Sequence, residues 1–360
     1  MRLTKLSSSL IAILFVLFIS LNLARAQEGI EAVVSSSFFE AMGELPLGEV
    51  DVVIYSDFKK LIRTKMQEKY IPAKVYVVVK EDTIYRFDSE IKTRGNSRKE
   101  ICFFPPVKLK VKKAALEKNQ LNREFNKYKL VTQCKSGSVY QDYVNKEYMA
   151  YQLLQDVYPV GLKVVPVNIK YIQSGDNPKK AKKQRVDELS GFIIESEEHL
   201  ANRVNAINIR RTKSAFHHLD RFHTINLSLF QYMIGNTDWA VPNLHNLKLI
   251  KIADVDKMIA VPYDFDYSGL VNTIYAVPHG TLSIKSVKQR LYRGPGCEEE
   301  EVNEVIELYR TKKDDLIKTI ETCPVTDQKG KESMIKYIEG FFKELDNGKQ
   351  LLRTMKFTQS

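Results

Sequence analysis

Gly235-Asn236-Thr237-Asp238-Trp239-Ala240-Val241-Pro242-Asn243-Leu244-His245-Asn246 is the most polar-dense and least periodic stretch in the second half of the chain, and it contains the only Trp. It follows a strong helical pattern and runs into a short hairpin pattern at residues 247–252 and 258–261. That hairpin leads to Val261-Pro262-Tyr263-Asp264-Phe265-Asp266-Tyr267-Ser268-Gly269, where a strand pattern stops at two carboxylates. An Asp in one loop, an Asn five residues on, a hairpin and then an Asp at a strand end can share one wall of a cleft. The set combines a carboxylate able to orient a hydroxyl or accept its proton with hard oxygen ligands suited to Mg²⁺ or Mn²⁺.

Outward from this stretch, the chain changes character near residues 196–204. Before that point, residues 52–55, 74–79, 83–93, 107–111, 128–132, 162–171 and 191–194 are rich in β-branched and aromatic side chains and read as strands. Residues 58–70 and 140–158 place apolar side chains at helical spacing, the second through Tyr148, Tyr151, Leu154 and Val157. Beyond it, residues 214–234, 298–322 and 332–355 read as helices. The expectation is an α+β fold with a sheet-rich lobe over residues 27–198 and a helical lobe over residues 199–360 that carries both polar loops. Residues 174–185, with Lys179, Lys180, Lys182, Lys183 and Arg185, read as a long solvated hairpin. A basic patch interleaved with aromatics is missing, so no nucleic-acid partner is expected.

A length of 360 residues allows one bilobal domain or two intimately packed ones. With 44% hydrophobic and 28% charged residues, fibrous and largely disordered classes are excluded. Arg2 and Lys5 precede an apolar run at residues 10–23 that ends in Ala24-Arg25-Ala26, the order of a secretory signal peptide. Residues 1–26 are expected to be removed, giving an exported, periplasmic or extracellular protein. The run is shorter than the roughly 20 residues a spanning helix needs, so no stable membrane span is expected. Loss of Arg2, Lys5 and Arg25 would lower the net charge from +11 to +8, an excess that favours an anionic ligand. Cys102, Cys134, Cys297 and Cys323 have no zinc-motif spacing. Cys102 and Cys134 flank strand patterns and could meet across a sheet. An unbroken helix over residues 298–322 would keep Cys297 and Cys323 more than about 30 Å apart, beyond disulfide reach. Buried free thiols and bridges both fit the pattern.

The ordered set Arg94-Gly95-Asn96-Ser97, Pro106-Val107-Lys108-Leu109-Lys110, Gly191-Phe192-Ile193-Ile194-Glu195, Gly235-Asn236-Thr237-Asp238-Trp239 with Asn243, His245 and Asn246, and Pro262-Tyr263-Asp264-Phe265-Asp266 resembles the spore-coat CotH family of atypical secreted kinases. The resemblance spans about half the chain. It implies a divergent bilobal protein-kinase-like fold with ATP and Mg²⁺ or Mn²⁺ in the cleft, acting on an extracytoplasmic protein. On that resemblance Asp238 is the catalytic-loop aspartate, and Asp264 is the metal-binding aspartate of an Asp-Phe-Asp motif that includes Asp266. Asn243 or Asn246 is the second metal ligand. Lys108 or Lys110 meets the α- and β-phosphates, Glu147 holds that lysine, and Arg94 and Ser97 lie in the turn above the phosphates. The glycine-rich phosphate loop and the His-Arg that precede these residues in ordinary kinases are missing, and CotH-like chains tend to lack both.

Each residue also has a plainer role. Asp238, Asn243 and Asn246 could form side-chain turns, Asp264 and Asp266 could cap the next segment, and Lys108, Lys110 and Glu147 could be solvated. His217, His218 and His223 have no metal-motif spacing, whereas His245 lies inside the candidate site. Two other functions share the residues: a kinase-like binding module without turnover, and a glycosidase using Asp238 and Asp264, which the single Trp disfavours.

Overall fold

The computed structural model describes residues 36–95, 97–102, 104–174, 186–347, 351, 353 and 355. The expected signal peptide, residues 175–185 of the basic hairpin and the Ser97 side chain lie outside the described atoms.

Alternation builds the first half. Val52 and Ile54 in β1 (Val50–Ser56), Val75 and Val77 in β2 (Ile71–Val79), Phe87 and Ile91 in β3 (Asp82–Thr93), and Val107, Leu109 and Val111 in β4 (Val107–Val111) all point into one buried cluster. Tyr128 and Leu130 of β5 (Lys127–Thr132), Val167 and Ile169 of β6 (Val164–Gln173) and Ile193 of β7 (Val186–Ile194) complete it. The intervening residues face outward, as the period of two requires.

The expected sheet is in fact a closed barrel of seven strands, ordered β1-β2-β3-β4-β5-β7-β6. All neighbours are antiparallel except the closing pair, where β1 lies parallel to β6 with Asp51 opposite Asn168. Closure leaves no open edge for another chain to pair with.

The second half is helical with one small sheet. Helix α1 (Ser138–Val157) belongs by sequence to the barrel half, but its buried face packs with α2 (Arg221–Met233), α3 (Glu299–Thr322) and α4 (Gln328–Asp346). Barrel residues Val131, Val164, Phe192 and Ile194 join the same cluster. The helix expected over residues 214–234 instead breaks at Asp220, whose side chain accepts from the His223 N–H and starts α2. The hairpin β9 (Leu247–Ile252) and β10 (Ile259–Pro262) gains a third strand, β8 (Ala206–Ile209), which the sequence pattern had not marked. Among the described residues no helix is long and apolar enough to cross a membrane.

Cys102 and Cys134 form a disulfide with Cα atoms 5.0 Å apart, while Cys297 and Cys323 are free and buried.

Candidate active site

Helix α2 ends at Met233 with Ile234 as its C-cap, and Gly235 turns the chain with φ +65°. Asn236 is fully buried, donating to Gln231 Oε1 at 2.9 Å and accepting the Asp238 N–H at 3.0 Å. This Asx turn presents Asp238. From the segment beyond, Arg293 caps the loop by donating to the backbone carbonyls of Thr237 and, at 2.8 Å, Trp239. Gly235 and Gly269 have no room for a side chain, because a Cβ at either would run into the Tyr337 hydroxyl. Their backbones touch instead, the Gly269 N–H donating to the Gly235 carbonyl at 3.0 Å.

Asn246 then ties the two polar loops together. Its Nδ2 donates to the Asp238 backbone carbonyl at 2.7 Å and to Asp238 Oδ2 at 3.0 Å, while its own backbone carbonyl accepts the Tyr263 N–H at 3.1 Å. It sits at φ +53°, a left-handed conformation that Asn tolerates better than most residues. His245 Nε2 lies 3.0 Å from Asp238 Oδ1. Asn243 is exposed, and its side chain accepts the His245 N–H within its own turn. Of the two asparagines, Asn246 is therefore the one on the Asp238 carboxylate.

Asp264 also has positive φ, +65°, and its N–H donates to the Tyr151 hydroxyl at 3.0 Å. Phe265 is fully buried against Tyr151 and Phe230, which anchors the two flanking carboxylates. Arg98 reaches both, with Nη2 2.6 Å from Asp266 Oδ2 and 3.3 Å from Asp264 Oδ1. The Tyr275 hydroxyl donates to Asp266 at 2.9 Å. Burial pushes Asp266 above the ordinary carboxylate range, against the pull of Arg98. Burial also pushes Glu147 well above it, with the negative Asp266 adding to the effect and Arg98 opposing it. Glu147 thus sits among arginines rather than holding Lys108 or Lys110.

Those two lysines lie on the outer barrel face. Lys110 pairs with Glu90 at 2.7 Å and lies over the Tyr70 ring. Burial and the nearby Lys127 and Lys92 charges hold Lys108 below its ordinary value. The lysine that enters the cleft is Lys129, which stands opposite Lys108 on the neighbouring strand. It lines a cavity of about 370 Å³, open mouth included, together with Arg94, Glu147, Tyr151, Tyr263 and Asp264. Burial pulls its ammonium down, against Glu197 at 3.3 Å. Val131, Leu162 and Ile194 give the same cavity an apolar side. Arg94 also lines it, and its Nε is buried with no hydrogen-bond partner among the described residues.

This donor set suits a nucleotide with a divalent cation. Arg94 Nε and the Lys129 ammonium offer donors for phosphate oxygens. The Asp264 carboxylate and Asn246 Oδ1 are hard oxygens of the kind that Mg²⁺ and Mn²⁺ take, although no three His, Cys, Asp or Glu side chains among the described residues form a metal cluster. Local sequence pattern marks neither Lys129 nor Arg98 as part of this set. Lys129 lies inside an expected strand, and Arg98 directly follows the Arg-Gly-Asn-Ser turn.

Neither a protein-family model nor a curated protein sequence matches the chain. Among solved structures it is similar to the Helicobacter pylori proinflammatory kinase CtkA, at 8% identity and a TM-score of 0.37, over 74% of this chain and 95% of that one.

Proposed function

We propose that the protein is a metal-dependent kinase that transfers phosphate from ATP to hydroxyls of an extracytoplasmic protein. The observation that carries this reading is Asn246, whose bonds join Asp238 to the strand that delivers Asp264. In the cavity, Val131, Leu162 and Ile194 would cover the base, and Lys129 with Arg94 would bind phosphate oxygens. Asp264 and Asn246 would hold the cation, which supplies charge neutralisation on the phosphates. Asp238 orients the acceptor hydroxyl and takes its proton as the oxygen attacks the γ-phosphorus and the bond to the bridging oxygen breaks, releasing ADP. Its carboxylate is 39% exposed, so a substrate can reach it. Export is supported by the Cys102–Cys134 bridge, which belongs to an oxidising compartment.

Titration of the mature protein with ATP and Mn²⁺ tests the reading. Binding should be saturable, and Asp264→Ala should abolish its Mn²⁺-dependent part while the protein still melts cooperatively. Unchanged affinity in that variant removes the metal role.

The Arg98 ion pairs favour a second reading, a kinase-like module that binds without turnover, because a guanidinium already neutralises the carboxylates. Wild-type protein that binds ATP and Mn²⁺ but transfers nothing to itself or to any exported protein would decide for it.

A further inference from the structure

A second cavity of about 800 Å³, open mouth included, shares Arg98 and Glu147 with the first and has Asp266 where the first has Asp264. Four tyrosines wall it, Tyr140 and Tyr143 from α1 and Tyr267 and Tyr275 from the segment after Asp266. They hold one another at ring separations of 5.8 Å for Tyr140 and Tyr143, 6.2 Å for Tyr143 and Tyr275, and 5.7 Å for Tyr267 and Tyr275. Two of the hydroxyls are already committed. Tyr275 donates to Asp266, and Tyr143 accepts the Ile274 N–H at 3.2 Å. Besides hydroxyls, the four rings offer the cavity their apolar bodies, in a geometry suited to another aromatic ring.

The mouth carries two further features. Lys135 is exposed, lies 5.8 Å from the Tyr140 ring centre and has no anionic partner among the described residues. Ile274 and Val277, on either side of the half-exposed Tyr275, are 78% and 71% exposed, the densest run of large exposed apolar side chains among the described residues. Exposed apolar side chains flanking a cavity residue suit contact with a polypeptide. Tyr267 in turn lies within the electrostatic reach of both Asp266 and Asp238, so the cavity and the catalytic loop are neighbours.

We propose that this cavity seats a bulky aromatic side chain of the acceptor polypeptide, with an acidic residue beside it facing Lys135. The seat rests on the reading of Asp238 as the place where the acceptor hydroxyl reacts. It adds a selection rule to that reading: acceptors carry an aromatic anchor and a nearby acid close to the phosphorylated residue.

The test uses the mature protein and two probes, N-acetyl-phenylalanyl-glutamate amide and its alanyl counterpart, followed by saturation-transfer NMR. The phenylalanyl probe should bind at least about tenfold more tightly, since burying the ring supplies the difference. Lys135→Glu should weaken it several-fold, and Val144→Trp, which fills the cavity, should abolish it. If Val144→Trp does not fold, Tyr143→Ala takes its place. Equal binding of the two probes, or wild-type binding by both Lys135→Glu and the cavity variant, overturns the proposal. ATP and Mn²⁺ are titrated into the same samples. Nucleotide binding without ring selectivity sinks the seat alone. Ring selectivity without nucleotide binding sinks the kinase reading and, with it, the acceptor assignment.

Discussion

Asp238 holds one carboxylate oxygen on His245 and the other on Asn246, so Asp238→Asn can keep its place by accepting from Asn246 through its remaining carbonyl oxygen. Nucleotide affinity should then stay within a few-fold of wild type. Phosphate transfer should fall by at least about two orders of magnitude, the usual contribution of a proton-accepting or orienting group. Transfer at the wild-type rate would make Asp238 a turn residue. Arg98 makes the opposite case, since its guanidinium sits on the carboxylates that a cation would use. Removing a positive charge a few ångströms from the site should tighten Mn²⁺ binding in Arg98→Gln by at least about tenfold. Calorimetric titration of Mn²⁺ without nucleotide reads this directly, and an unchanged constant would place the cation elsewhere.

At the scale of elements, the junction after β7 is held by a buried carboxylate. The Glu195 side chain is fully buried and is met by Arg203 Nε and Nη2, both at 2.9 Å, His199 Nδ1 at 2.7 Å and the Lys163 N–H at 2.9 Å. Burial alone would raise its pKa, but the Arg203 and His199 bonds outweigh it and hold the group below its ordinary value. A depressed folded value means the contribution is present above the unfolded pKa near 4.5 and fades as pH falls through the lower folded value. Thermal melts from pH 6 downward should therefore lose stability below about 4.5. Arg203→Ala should cost roughly 3 kcal/mol at neutral pH by leaving Glu195 under-compensated. A change within error in the urea midpoint would mean the pair is structurally idle. Gly269 presents a different constraint. Its missing Cβ would lie 2.4 Å from the Val287 carbonyl, so Gly269→Ala should destabilise by roughly 1–3 kcal/mol and disturb the adjoining Gly235–Asp238 loop.

For the whole molecule, the Cys102–Cys134 bridge is the covalent tie between the segment bearing Arg98 and the chain just before α1. It closes a loop with a sequence separation of 32, which by loop entropy stabilises by about 3–4 kcal/mol. The double variant Cys102→Ser, Cys134→Ser should lose about that much in denaturant melts. Thiol titration of unfolded, unreduced wild type should find two free thiols, those of Cys297 and Cys323. Four thiols would mean the bridge does not form.

Much of this was legible in the chain itself, because it depends on local period and local chemistry. Alternation at Val52 and Ile54, Val107 and Leu109, or Tyr128 and Leu130 marks strands and their inward faces, and the spacing of Tyr148, Tyr151, Leu154 and Val157 marks α1 and its buried side. The Asp, Asn and hairpin pattern around Asp238 and Asp264 pointed to two apposed loops for the same reason, since a short hairpin returns the chain to where it began. What only the tertiary structure decided involves distant partners. Closure of the barrel depends on Asp51 meeting Asn168, which no local pattern encodes. The choice of Asn246 over Asn243 depends on which side chain turns toward Asp238. The lysine of the cleft is Lys129 because the outward face of its strand meets Tyr263, Glu197 and the helices at that point, whereas Lys110, equally outward, meets Glu90 and Tyr70. Period says which side of a strand a residue faces. Only the packing of elements far apart in sequence says whether that side faces water or a site.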